Sequence, residues 1–122
     1  MSDRKYRFTV LADADIEDIL AHTLREFGDR QLDLYTALID KAAQMIGEEP
    51  LRPSSKARNE LGPAVRSFHI ETAARKRGAA SHILYYVPGT LEHGLEGVIV
   101  LRVLWDGMEP RPLVERGLNE LE

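Results

Sequence analysis

The most evident chemistry in this sequence is the binding of an anion by a basic stretch in the middle of the chain. Residues 52–77 hold seven lysines and arginines and two acidic residues, whereas residues 13–49 hold ten acidic and three basic side chains. Since the net charge of the whole chain is −4, only the middle stretch has the charge to face a nucleic acid or an acidic protein. The alternative is a solvated surface whose charges pair with one another.

Metal and redox chemistry have little support in the composition. The chain has no cysteine, and its histidines do not show the spacing of metal ligands. These histidines are His22, His69, His82 and His93. We therefore expect no metal site, and no motif indicates a cofactor.

Five cations and one histidine are the candidates for contacting a target: Arg66, Arg75, Lys76, Arg77, His82 and Arg102. The segment ARKRG at 74–78 has no interleaved aromatic residues of the kind that stack on bases, so a solvated hairpin tip is the alternative reading. His82 could equally be an ordinary first residue of a strand, and Arg66 could pair with a neighbouring acid.

Hydrophobic periodicity predicts the elements that must position these residues. YRFTVL at 6–11 alternates like a strand, and apolar residues then recur at helical spacing over 16–27 and 35–46. Gly28 separates the two helices, with Asp29 as the cap of the second, and the short link makes them an antiparallel hairpin. The first helix is expected to be capped by Asp13 or Asp15.

Three β-like segments follow a proline-rich loop: VRSFHI at 65–70, HILYYV at 82–87 and VIVLRVLW at 98–105. The tail at 112–121 has apolar residues at helical spacing and predicts a short last helix, interrupted by Gly117. The order β-α-α-β-β-β predicts one α+β domain over residues 1–122, with the hairpin packed on one face of a small, mostly antiparallel sheet.

Alternation along the last strand suggests which residues are left for a partner. One face carries Ile99, Leu101, Val103 and Trp105 and is expected to meet the helices. The other face would then be open, with an apolar patch around one cation: Val98, Val100, Arg102, Leu104, Leu84 and Tyr86. Because such a patch usually marks a contact with another molecule, these residues are the candidates for binding a protein partner.

Five segments, taken in order, resemble the ParE branch of the RelE/ParE toxin superfamily: LADADIEDIL, FGDRQ, VRSFHI, HILYYV and VLRVLWDGMEP. None is specific alone, but together they extend over nearly the whole chain. The resemblance implies the toxin of a type II toxin–antitoxin pair of the plasmid-stabilisation type. It further implies that a ParD-like antitoxin binds the chain and that DNA gyrase is its target, with no sequence-specific DNA binding by the chain itself.

The RelE branch of the superfamily cuts messenger RNA on the ribosome and is the alternative. Its members place cations on the sheet and commonly a histidine after the segment matching VLRVL, where this chain has Trp105. An indole cannot exchange a proton at neutral pH, and the nearest substitutes are His69 and His82. A gyrase poison that performs no chemistry is therefore the main hypothesis, and a binding module without toxicity is a third possibility.

The location expected for such a protein is the cytoplasm. No apolar run approaches the ~20 residues of a membrane span, and no segment of signal-peptide length precedes the polar DADIED. We expect no contact with a membrane.

Overall fold

The computed structural model describes residues 4–122, apart from the side chain of His93. The helices and strands follow in this order: β1 (Tyr6–Phe8), α1 (Val10–Phe27), α2 (Asp29–Glu48), β2 (Lys56–Ala57), β3 (Arg66–His69), α3 (Glu71–Ala74), β4 (His82–Thr90), β5 (Glu96–Trp105) and α4 (Arg111–Asn119). The predicted α+β class, helix hairpin and short last helix are confirmed. The two-residue β2 and the one-turn α3 were not predicted, because segments so short carry no periodicity.

The five strands form one open sheet in the order β1-β5-β4-β3-β2. β1 runs parallel to β5, and the other neighbours are antiparallel. The longest strand, β5, therefore lies between the first strand of the chain and β4. A strand in this position has neighbours on both edges, so its backbone groups are paired on both sides.

The start of α1 differs from the prediction. The N-cap is Thr9, whose hydroxyl oxygen accepts from the Ala12 N–H at 3.0 Å and donates to the Leu101 carbonyl at 2.8 Å. The expectation that Asp13 or Asp15 caps the helix is wrong, because the helix begins at residue 10, before either of them. The cap thus also fixes the helix to β5.

The turn between the two long helices depends on Gly28. This residue has a φ of +87°, which a glycine adopts at little cost, and its N–H donates to the Leu24 carbonyl at 3.0 Å. The prediction that Gly28 ends α1 is confirmed. Gly28 also precedes α2 directly, so Asp29 is the first residue of that helix rather than its cap.

The helix hairpin covers one face of the sheet and closes the larger hydrophobic core. Its buried centre includes Tyr6, Ile39, Ile46, Phe68, Leu84, Tyr86, Val98, Val100 and Val103. Burial of each large apolar side chain contributes about 1.5–3 kcal/mol. The hairpin is therefore anchored mainly by α2, whose buried positions recur at helical spacing.

The opposite face is covered by α4 and by the loop before β3, which contradicts the open face predicted from the sequence. A second core lies there, formed by Leu61, Val65, Tyr85, Val87, Ile99, Leu101, Leu104 and Val114. Both faces of β5 are apolar because both are covered. The prediction that Ile99 and Leu101 meet the hairpin is wrong, since they contact the second core.

A β-bulge in β5 explains why alternation misassigned its faces. Tyr85 and Tyr86, neighbours in β4, pair with Arg102 and Val100, so that Leu101 is an extra residue in β5. The alternation changes phase at this point. A strict alternation of residues between the two faces of β5 therefore cannot assign the faces correctly on both sides of the bulge.

Among residues 4–122, no helix is long and apolar enough to cross a lipid bilayer.

Candidate functional site

Arg102, predicted on an open face, is buried and paired. Its Nε and Nη2 donate to the two carboxylate oxygens of Asp15 at 2.8 and 2.7 Å, and Nη1 donates to the Leu113 carbonyl at 3.1 Å. The residue is 7% exposed, and the hydrogen bond to Asp15 raises the pKa of its guanidinium. The prediction of a solvent-facing cation is wrong, because this side chain joins β5 to α1 and α4.

The apolar residues predicted to bind a partner are also buried. Val98, Val100, Leu84 and Tyr86 lie in the hairpin core, and Leu104 lies in the second core under α4; none is more than 3% exposed. The prediction that they form an exposed patch is wrong for the physical reason given above, the covering of both sheet faces. In the folded chain they contact the protein's own helices.

The remaining predicted cations fall into two groups. Arg66 is half-buried, and its Nε and Nη2 donate to the Ser55 hydroxyl at 3.0 and 2.8 Å, which holds the preceding loop against β3. Arg75, Lys76 and Arg77 are exposed. Arg75 ends α3 with a φ of +54°, so these three side chains lie on a tight turn that leads into β4.

His82, the first residue of β4, is held by a contact with the helix hairpin. Its Nδ1 lies 2.7 Å from the Tyr35 hydroxyl of α2, and the two rings meet edge to face with centroids 5.7 Å apart. Burial lowers the pKa of His82 and raises the pKa of the Tyr35 phenol. Both groups are therefore neutral at pH 7, and the pair is a hydrogen bond between neutral groups.

A cleft of about 540 Å³ lies around this pair, where the tip of the helix hairpin faces the start of β4 and the end of β5. We call it the His82 cleft; it is lined by His22, Thr23, Phe27, Gln31, Tyr35, the 78–82 segment and Trp105. Its size is in the range of small-molecule sites. Two rim residues, Phe27 and Trp105, are 68% and 53% exposed.

Trp105 thus lies on the hairpin side of the sheet, as predicted, but outside the core. On the neighbouring strand β4, the residue paired with Trp105 is His82. A nuclease of RelE type would need a proton-exchanging group at position 105, where this chain has the indole of Trp105. In the structure the imidazole of His82 lies beside that indole. Beyond the cleft, His69 Nε2 lies 2.9 Å from Asp106 Oδ2.

Sequence reasoning missed the main partners in these contacts. Asp15 was assigned to helix capping, although a lone arginine within an apolar strand indicates a buried acid elsewhere. Phe27 and Tyr35 were part of helical stripes and gave no signal of a cleft. Only the fold brings Phe27, Tyr35 and Trp105 together, since each belongs to a different element.

The arrangement defines a class of protein, a helix hairpin on a small, mostly antiparallel sheet with a cleft at one end. The family model described as the ParE toxin of the type II toxin–antitoxin system, parDE, matches residues 6–110. The chain therefore belongs to the ParE toxin family. A search of curated proteins gives no significant match.

Proposed function

We propose that this chain, as one toxin domain over residues 1–122, stops bacterial growth by binding DNA gyrase and is neutralised by a ParD-like antitoxin. The observation that carries the proposal is the family match, which covers residues 6–110 of 122. The action would take place in the cytoplasm and requires no chemistry by the chain itself.

The surface that we propose for the target is the turn carrying Arg75, Lys76 and Arg77, which we call the basic tip. Of the six residues predicted to contact a target, these three are exposed, whereas Arg66 and Arg102 are engaged within the fold. Exposed charges steer a partner of opposite sign and raise the rate of association.

The antitoxin needs a different surface from the one predicted, because those apolar residues are buried. Exposed large apolar side chains on the helix hairpin offer one, including Leu24 at 42%, Phe27 at 68% and Leu34 at 55% exposure. An amphipathic antitoxin helix could cover them. Substitution of Leu34 by Asp should then weaken antitoxin rescue of growth while toxicity is retained.

The experiment that tests the target measures two effects of the same induced chain. Under tight repression and then induction, we expect growth arrest with a DNA-damage response and intact messenger RNA. The purified chain should inhibit supercoiling by gyrase or trap cleaved DNA. Normal growth on induction would instead favour a binding module without toxicity.

The matched variants are triple alanine substitutions of exposed cations. Substitution of Arg75, Lys76 and Arg77 should reduce inhibition of gyrase, whereas the control triple at Lys41, Lys56 and Arg116 should leave it unchanged. Equal effects of the two triples would show that total charge, and not the basic tip, matters.

The alternative function is a ribosome-dependent ribonuclease of RelE type. Codon-phased cleavage of messages with supercoiling unaffected would establish it and overturn the gyrase proposal. In that case His82, beside Trp105, is the residue whose substitution by Gln should abolish cleavage.

A further inference from the structure

We propose that the His82 cleft binds an unpaired nucleobase, with the phosphates of the same strand or nucleotide on the basic tip. This site goes beyond the proposed function, since a toxin that only binds gyrase needs no nucleic-acid contact of its own. The ligand chemistry is a flat aromatic base joined to an anion. It could come from single-stranded DNA or RNA or from a free nucleotide.

The first observation is the ring content of the cleft. Phe27 and Trp105 contribute two exposed aromatic rings from two different elements. The lining also includes the imidazoles of His22 and His82 and the ring of Tyr35, which is 7% exposed. Bases stack on such faces regardless of sequence. Phe27 and Trp105 are among the most exposed large apolar residues of the part of the chain that the structure describes, so their faces are available to a ligand.

The second observation is the charge next to the cleft. The lining segment 78–82 follows the basic tip directly in the chain, so three exposed cations lie within a few residues of the cleft lining. Within residues 4–122, the cleft lining itself contains no carboxylate. Two acidic residues nearby already have partners: Asp106 lies 2.9 Å from His69, and Glu71 accepts from the Gly78 N–H at 2.9 Å.

The third observation is the set of polar groups that could meet the edge of a base. Where the Tyr35 hydroxyl donates to His82 Nδ1, the neutral imidazole carries its proton on Nε2 and offers a donor. The Gln31 amide and the Ser81 hydroxyl add a donor and an acceptor each. A cleft lined by neutral polar groups and aromatic rings suits a base better than it suits a charged group.

These observations favour a base over an apolar side chain of a protein partner. An aliphatic side chain could pack on the aromatic rings, but it would not pair with the basic tip or form hydrogen bonds with the polar groups of the cleft. A base joined to phosphate uses all three. The structure also supplies the aromatic residues whose absence from ARKRG made a stacking surface unlikely from sequence.

The test uses Trp105, which is the single tryptophan of the chain. The purified full chain is titrated with three probes, a twelve-base oligothymidine, a twelve-base oligouridine and AMP, while tryptophan fluorescence is recorded. We expect saturable quenching. For an oligonucleotide that contacts three cations, log K should fall with log salt with a slope of about −2.

The matched ligand control is an abasic dodecamer, which has the same phosphates without bases. It should bind at least about tenfold more weakly than oligothymidine, because stacking of one base is worth a factor of this order. Equal affinity for the two strands, or no quenching by any probe, would overturn the proposal. Tighter binding of a dodecamer than of AMP identifies a strand as the source, and equal binding identifies a free nucleotide; both support the site.

The variants separate the two halves of the site. Phe27→Ala should weaken oligonucleotide binding about tenfold, whereas Leu51→Ala, at an apolar residue of similar exposure (69% against 68%) outside the cleft lining, should not. The triple alanine variant of the basic tip should reduce the salt slope. Circular dichroism confirms that each variant is folded, and unchanged affinity of folded Phe27→Ala would overturn the assignment of this cleft.

The results of the nucleobase titrations do not depend on whether gyrase is the cellular target. If the unsubstituted chain inhibits gyrase but binds no nucleobase probe, the cleft proposal alone is refuted. If it binds the probes but does not inhibit gyrase, the gyrase proposal alone is refuted.

Discussion

Arg102 and Asp15 form the most consequential side-chain contact in the molecule. Their side chains are 9% and 14% exposed and meet through two hydrogen bonds, while Asp15 Oδ2 also accepts from the Val103 N–H at 3.0 Å. A buried pair of this kind contributes little compared with apolar residues of equal volume, but removing one partner is costly.

Asp15→Ala is therefore expected to destabilise the chain by about 3 kcal/mol, because it leaves a buried guanidinium without its partner. Asp13→Ala, an exposed change on the same helix, is the control and should cost less than about 0.5 kcal/mol. Urea unfolding measures both. If the double variant Asp15→Ala/Arg102→Met is as unstable as Asp15→Ala alone, the orphaned charge is not the cause.

His82 gives the stability a predictable dependence on pH. Burial lowers its pKa below the ordinary value of 6.5, so below that pH the unfolded chain binds a proton that the folded chain resists. Stability should therefore fall as the pH decreases from about 6.5 through the pKa of His82 in the folded chain.

Thermal unfolding between pH 7.5 and 5 tests this, with His82→Gln compared with the unsubstituted chain. The substitution should flatten the pH dependence. An unchanged profile in His82→Gln would assign the effect to other groups.

The candidate site was only partly predictable at this scale. His82 and the basic tip were identified from residue type and position, which is local information. The roles of Asp15, Phe27 and Trp105 depend on which elements lie side by side. Contacts such as Arg102 with Asp15 join residues 87 positions apart, and a single sequence contains no signal for that distance.

At the scale of elements, α4 depends on a close approach to the sheet. A Cβ on Gly117 would lie 2.7 Å from the Leu101 carbonyl oxygen, so only a glycine lets the helix reach β5. The sequence suggested that Gly117 interrupts this helix, but α4 continues through it to Asn119. The glycine is a packing residue.

Gly117→Ala should consequently lower the free energy of unfolding by about 1–3 kcal/mol. This loss would occur although alanine favours a helix over glycine by about 1 kcal/mol. Asn119→Ala in the last turn is the control and should be neutral or slightly stabilising. Equal stability of Gly117→Ala and the unsubstituted chain would mean that α4 can move outwards at no cost.

The long elements were predictable, and their faces were not. Both hairpin helices, β4 and β5 follow from periodicity, because each is long or strongly apolar. The four-residue β3 was predicted as part of a short β-like segment, VRSFHI at 65–70. Which face of β5 meets the hairpin could not be read, because both faces are apolar and the bulge at Leu101 changes the phase of alternation. An extra residue in a strand leaves no mark in its composition.

At the scale of the whole molecule, the family match ends at residue 110, and α4 begins at residue 111. This helix buries Val114 in the second core, and Glu120 just beyond it accepts from the Val10 and Leu11 N–H groups at 2.9 and 3.0 Å. The segment after residue 110 therefore completes both the second core and the start of α1.

A chain ending at residue 110 should be insoluble or unfolded when expressed, because Leu101 and Leu104 would lose their cover. Deletion of Glu122 alone is the control and should leave solubility and the melting temperature unchanged. Soluble, cooperatively folded protein from the shorter chain would show that α4 is dispensable to the fold.

The position of β5 between β1 and β4 also has a consequence for synthesis on the ribosome. β1 pairs in parallel with β5, and the Thr9 hydroxyl bonds to the carbonyl of Leu101, 92 residues later. Translation proceeds from the N-terminus, so the helix hairpin emerges long before the strand on which it packs. Every nascent chain that stops before β5 lacks the strand that joins β1 to β4, so a round of translation interrupted there releases no folded protein.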